Sequence, residues 1–165
     1  GEKGRRPLAA GMDMESLVKA AYQGQSQVAD SFYAPSILGY KSVGPYEYNP
    51  GLAKQLLAEA GYENGVTMQY YTMENQINMS VAEVVKNMWG QVGVEVDIQI
   101  VDLATQTQLN NEGKCPAASM APTVAMRDPD AGLTIWPIYR TISIRHNDQH
   151  VPDLLDAGRA TYYEA

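Results

Sequence analysis

Asn49-Pro50 and Gly61 bracket the stretch that most restricts how this chain folds. Asn49 offers a side-chain acceptor for a helix N-terminus, and Pro50 already has the φ suited to a first helical position. Gly61 permits the left-handed backbone that ends a helix. Between them Leu52, Ala53, Leu56, Leu57 and Ala60 fall on one helical face. The spacing predicts a helix over 50–60, and its stripe needs a partner. The next residues supply one. Val66 to Met73 sets Val66, Met68, Tyr70 and Thr72 against Thr67, Gln69 and Tyr71, which is strand alternation. Ile77 to Gln91 returns to the helical period with Val81, Val84, Val85, Met88 and Trp89 on one face and Gly93 as its stop. Val94–Val101 alternates again, with Val94, Val96, Ile98 and Ile100 opposite Glu95, Asp97 and Gln99. Asp102 can cap a short helix through Leu109 that ends at Gly113, and Ala118–Ala125 reads as a weaker third strand. Strand, helix, strand, helix, strand is an α/β order, which predicts a sheet flanked by helices.

The flanks are less regular. Residues 1–11, rich in Gly and Arg, read as a loose lead-in. Asp13 is placed to cap a helix that buries Leu17, Val18 and Ala21 and ends near Gly24. From Gln25 to Tyr48 no period persists. Pro35, Gly39, Gly44 and Pro45 punctuate it, while Phe32, Tyr33, Tyr40, Tyr46 and Tyr48 interleave. Long excursions of this kind are functional or are pinned by their aromatics. Asp128-Pro129-Asp130 marks a turn, residues 131–150 are irregular, and Pro152 opens a last helix with Leu154, Leu155 and Tyr163. The 165 residues suffice for one domain with one core.

Several functions are disfavoured by what the sequence holds. A formal charge of -7, with basic residues scattered apart from Arg5-Arg6, argues against nucleic acid, which needs clustered Lys and Arg. Cys115 is the one cysteine, so there is no internal disulfide and no Cys/His metal spacing; it reads as an inert thiol. No apolar run reaches the roughly eighteen residues of a membrane span. No Gly-rich dinucleotide fingerprint, phosphate loop, zinc-protease helix or serine-hydrolase elbow occurs. Asp128 and Asp130 are paired carboxylates, but Asp-Pro-Asp reads as a turn with a helix cap before it reads as an acid/base pair. His146 and His150 have the four-residue spacing of a helical metal pair, yet Pro152 follows closely and the stretch lacks an apolar stripe, so they read as loop histidines. No catalytic residue, metal ligand or cofactor is predicted, and an enzyme is disfavoured.

The run Tyr46-Glu-Tyr-Asn-Pro-Gly-Leu-Ala-Lys-Gln-Leu-Leu-Ala-Glu-Ala-Gly61-Tyr62 resembles a hallmark of the family 5 solute-binding proteins, the dipeptide, oligopeptide and nickel binders of ABC importers. Arg6–Gln23 is similar to the family's helix entry, interrupted here by Pro7. Gln23-Gly24-Gln25, Pro35 to Tyr40, Val81 to Val96, Asp128-Pro-Asp, Leu154 to Arg159 and Tyr163-Glu-Ala extend the resemblance over nearly the whole chain, most weakly at 103–125 and 131–150. It implies one lobe of a type II (cluster C) periplasmic-binding-protein fold, with a small mixed sheet flanked by helices. Family members are much longer, so residues 1–165 are expected to be one α/β lobe of a longer two-lobe protein, and the lack of a signal peptide carries no information about compartment.

The resemblance also implies a mechanism. Two lobes close on a peptide or other small solute and deliver it to the transmembrane subunits of an ABC permease, the protein's sole link to the membrane, outside the cytoplasm. A sensor or chaperone role on the same fold, or nickel or metal-chelate binding, stays open beside it. Open α/β sheets bind ligands beyond the carboxyl ends of their strands. Thr72, Glu74, Asn75, Met126, Arg127 and Asp128 are therefore expected to line this lobe's half of the cleft. Thr72 and Asn75 would fix polar groups, Glu74 an amine or hydroxyls, and Arg127 a carboxylate. The family's amine-holding aspartate falls on Ala125 and its tryptophan on Pro122, and no arginine occurs among Met73–Ser80. These departures argue against a simple peptide, because a buried ammonium without a carboxylate is costly.

Overall fold

The computed structural model describes residues 2–31, 34–37 and 40–119. In chain order these form α1 (Glu2–Ala10), α2 (Met14–Ala21), α3 (Pro50–Glu59), β1 (Val66–Thr72), α4 (Gln76–Gln91), β2 (Val94–Ile100), α5 (Leu103–Asn111) and β3 (Ala117–Ala118). The helix ends follow from local chemistry. Asp13, Asn49, Asn75 and Asp102 each cap a helix by accepting from the backbone N–H three residues on, at 2.8–3.0 Å. Each such bond satisfies one donor that the helix itself leaves unpaired. Gly61, Gly93 and Gly113, at φ +88°, +93° and +67°, follow the ends of α3, α4 and α5.

The strands run in the order β2-β1-β3, and β1 pairs parallel with both neighbours. Val66 pairs with Val94, Thr72 with Ile100, and Tyr71 with Ala118. The small sheet expected to be mixed is thus parallel throughout its described strands. Parallel pairs need long crossovers, which α4 and α5 provide. Where β1 and β2 begin, the backbones come very close: Val66 N–H donates to the Gly93 carbonyl at 3.0 Å, and a Cβ on Gly65 would stand 3.0 Å from that same oxygen.

Tyr70 of β1, Val94 and Val96 of β2, and Val85 and Trp89 of α4 form the centre of the core. Tyr70 meets Trp89 edge to face, ring centroids 6.1 Å apart. Ala53 and Leu57 carry α3 into this cluster, and Leu17 carries α2. Each fully buried aliphatic side chain contributes about 1.5–3 kcal/mol.

Residues 1–11 require a correction. From Glu2 to Ala10 they form α1 rather than a loose lead-in. Tertiary packing explains this. Pro7 is fully buried, Ala10 is in the core, and α1 lies against α3. The Trp89 indole N–H donates to the Leu8 carbonyl at 3.0 Å, and Asn49 N–H donates to the Ala10 carbonyl at 2.8 Å. These contacts hold a segment whose own composition gives a weak helical signal.

The excursion after α2 is irregular, as expected. Tyr40 pins it by donating its hydroxyl to the Asp30 carboxylate at 2.7–2.9 Å, and Val43 N–H donates to the Asp30 carbonyl. Hydrogen bonds from Ser42 and then Tyr40 hold the Asp30 carboxyl below its usual range. Tyr46 and Tyr48 are exposed. Phe32, Tyr33, Gly39, most of the expected third strand, the Asp128-Pro129-Asp130 turn, both histidines and the last helix lie outside the described residues.

Candidate functional site

The chain leaves β1 toward β2 through α4, then passes back across β1 to reach β3 through α5. The strand order therefore reverses between β1 and β3, and such switch points open the crevice in which α/β sheets hold ligands. Thr72 and Ser119 occupy this point.

A buried polar floor underlies it. The Thr72 and Ser119 hydroxyl oxygens are 2.8 Å apart, within one hydrogen bond. Ser119 N–H donates to the Tyr71 carbonyl at 3.1 Å, and Val101 N–H donates to the Thr72 carbonyl at 2.9 Å. From α5, Gln106 donates its amide to the Ser119 carbonyl at 3.2 Å. Thr72 and Gln106 are 0 % exposed and Ser119 8 %. Gln106 Oε1 has no hydrogen-bond partner among the described residues. Burial pushes the nearby Tyr70 phenol up in pKa, and the Ser119 hydroxyl opposes that shift. Sequence reading missed Ser119 and Gln106. Gln106 sits on a helix without an apolar stripe, so nothing in the period marks it as the inward residue.

The expected site residues separate into three groups. Thr72 lies at the switch point, but it is buried and its hydroxyl is engaged with Ser119. Glu74 and Asn75 are exposed above it, and Asn75 spends its carbonyl oxygen on the α4 N-terminus at 2.9 Å from Asn78 N. Met126, Arg127 and Asp128 lie outside the described residues. Across β1, Asp102 caps α5; the backbone N–H and then the hydroxyl of Thr105 hold its carboxyl below the usual range. No Lys or Arg occurs in 72–80, 100–109 or 117–119, which supply this edge among the described residues.

A second concavity, about 390 Å³, lies at the other end of the sheet between Leu8, Met12, Met14, Val43, Tyr46 and Trp89. Trp89 is in the last turn of α4, next to the start of β2, so this hollow is remote from the carboxyl edge. Among the described residues no group of three His, Cys, Asp or Glu side chains converges to hold a metal, and no helix is long and apolar enough to cross a membrane. Burial pushes the half-buried Cys115 thiol up in pKa, away from its reactive form.

The family model for bacterial extracellular solute-binding proteins, family 5 (middle), matches residues 2–140. The dipeptide-binding protein of Escherichia coli K12 is 30 % identical over 134 residues, covering 78 % of this chain and 25 % of its own length. Heme-binding protein A of Haemophilus influenzae is 30 % identical over 138 residues, again 25 % of its length. Among solved structures, the ABC transporter-associated periplasmic binding protein DppA of Helicobacter pylori, in complex with the peptide STSA, superposes with a TM-score of 0.68 at 27 % identity, covering 78 % of this chain and 25 % of that one. The chain thus spans about a quarter of the length of the relatives it matches.

Proposed function

The chain belongs to the bacterial extracellular solute-binding proteins, family 5, and on that footing we propose that it is one lobe of the substrate-binding component of an ABC importer. It captures a peptide or other small solute against a second lobe and presents it to the transmembrane permease, outside the cytoplasm. The observation that carries this reading is the family match over residues 2–140, a range that includes β1, α4, β2, α5 and β3, the unit that builds the carboxyl edge. Relatives named for dipeptide and heme binding, and one described as ABC transporter-associated and periplasmic, support it. The family is one of binders, so the aspartates are assigned no catalytic step.

In this reading the chain after β1 and the chain after β3 meet the solute. Glu74 and Asn75 contribute from the first, and Met126, Arg127 and Asp128 from the second. Thr72 contributes from below, holding the ends of β1 and β3 together through Ser119. Closure of two lobes on a solute takes contacts from both, so the isolated chain should bind any solute more weakly than micromolar.

The test is mass spectrometry of the small molecule released by denaturing the longer parent protein after gentle purification. A released solute supports the reading. A peptide would mean that the aspartate replaced by Ala125 is supplied elsewhere, whereas a sugar, opine or chelate would name a different class. A parent that carries nothing and binds nothing from a solute panel refutes import and favours a sensor role.

A further inference from the structure

The face that α4 turns toward the sheet does not stay apolar to its end. Ala82, Val85 and Trp89 are buried along it at helical spacing, and one turn before Ala82 the same stripe carries Asn78, 5 % exposed. The helix runs back along the two parallel strands that it connects, starting from the carboxyl end of β1. At 1.5 Å per residue, about 16 Å of helix separates Trp89 from Asn78. Tyr70, which meets Trp89, is only about 7 Å along the strand from Thr72, the last residue of β1. Asn78 therefore stands past the end of β1, beyond the Thr72–Ser119 floor, at the carboxyl edge. An amide is costly to enclose unless its hydrogen bonds are made. At Asn78 it is the backbone N–H that donates to Asn75 Oδ1, at 2.9 Å, while the side-chain amide has no hydrogen-bond partner among the described residues. Gln106 Oε1 is also unpartnered, but the fold seals it off; the Asn78 amide is not sealed, so the small exposed part of the residue includes it.

We infer that Asn78 is a solute-contacting residue of this lobe, its amide pairing with a neutral group of the solute that both donates and accepts, an amide or a hydroxyl. The inference rests on the solute-binding reading and deepens it. The side chain's own chemistry selects the occupant. Its NH2 donates and its Oδ1 accepts, so an amide or hydroxyl on the solute satisfies both ends, whereas a bare carbonyl satisfies one. Asn75 spends its oxygen on the α4 cap, which leaves Asn78 as the asparagine of this turn with both ends free. The stripe agrees. A leucine at this position would continue Ala82, Val85 and Trp89 as an unbroken apolar face, so the amide contributes nothing to packing that an aliphatic side chain would not. A local departure of this kind from a helix's own pattern marks a functional position.

The experiment titrates this chain, with its asparagine side chains labelled for NMR, with acetamide and with acetone, which has a similar shape but no donor. Acetamide should shift the Asn78 NH2 signals, and half-saturation there should need about fivefold less acetamide than at Asn87, an exposed asparagine of the same helix. Fivefold is the ratio for about 1 kcal/mol, the net value of one hydrogen bond. Acetone, lacking the donor, should need about fivefold more than acetamide at Asn78. The variant Asn78→Leu should keep or raise the urea midpoint, because it removes an unpartnered amide and extends the stripe. Introduced into the longer parent protein, it should cut the solute released on denaturation at least about fivefold per mole of protein. Four results overturn the inference: Asn78 and Asn87 responding alike, acetone matching acetamide, a midpoint lowered by more than about 0.5 M in Asn78→Leu, which would make the amide structural, or an Asn78→Leu parent that releases as much solute as the unaltered one. Each of these leaves the solute-binding reading standing. An unaltered parent that neither releases nor binds a solute refutes that reading and this inference with it.

Discussion

The hydroxyl pair joining β1 to β3 is a point where removing both partners should cost less than the sum of removing each alone. Thr72 is 0 % exposed and its Oγ1 lies 2.8 Å from Ser119 Oγ. Thr72→Val keeps the shape and deletes one hydroxyl. Ser119, unlike Thr72, keeps some exposure (8 %), so the loss should be about 1 kcal/mol, the net value of one such bond. Ser119→Ala instead strands the Thr72 hydroxyl in a fully buried place, so its cost should be about 2 kcal/mol. The double variant has no stranded Thr72 hydroxyl. It should cost about 2 kcal/mol rather than 3, a coupling of about 1 kcal/mol. Urea unfolding followed by circular dichroism reads these values, each kcal/mol moving the midpoint by about 0.5 M. Hydrogen exchange at Ser119 N–H, bonded to the Tyr71 carbonyl, should accelerate most in Ser119→Ala. Additivity of the two single variants within about 0.4 kcal/mol would refute the reasoning, since the pair would then not act as a unit.

Gly65→Ala should cost about 2 kcal/mol in the same unfolding assay, because it combines a left-handed φ of +87° with a Cβ 3.0 Å from the Gly93 carbonyl oxygen. Gly93→Ala has the φ penalty without the clash, its nearest contact being 3.9 Å, and should cost about half as much. Trp89→Phe should lower stability by about 2 kcal/mol through the lost bond to the Leu8 carbonyl and the smaller ring, with hydrogen exchange rising in α1. Asp13 and Asp102 have carboxyls lowered by their capping bonds. The stability they add is present above the ordinary carboxylate pKa of about 4 and is lost as pH falls through their lower folded values. Asp102→Asn should leave the urea midpoint near pH 7 almost unchanged, since asparagine also caps, and should flatten its fall below pH 4; an unchanged acid slope would show the cap to be silent.

How far the sequence discloses this protein depends on how local each determinant is. The cap at Asn49, the proline at Pro50 and the stop at Gly61 act within a few residues, and α3 stands between them as the spacing predicts. The same holds for β1, α4, β2 and α5, whose periods and caps are written in consecutive residues. α1 was not legible because what holds it comes from afar: Trp89 reaches the Leu8 carbonyl across 81 positions, and Asn49 reaches that of Ala10. The site divides in the same way. Its place followed from strand order, since the carboxyl end of β1 had to carry Thr72, Glu74 and Asn75. What each side chain does there did not follow. Thr72 is enclosed because β3 arrives beside it with Ser119, and β3 is reached through α5, which crosses back over β1. Gln106 is buried by the same crossing, on a helix whose sequence shows no inward face. A parallel sheet thus reveals from its sequence which residues stand at its carboxyl edge, while its crossovers decide which of them stay exposed there. At this edge they enclose the hydroxyls and amide and leave the aliphatics of Ile77, Ile100 and Leu103 uncovered.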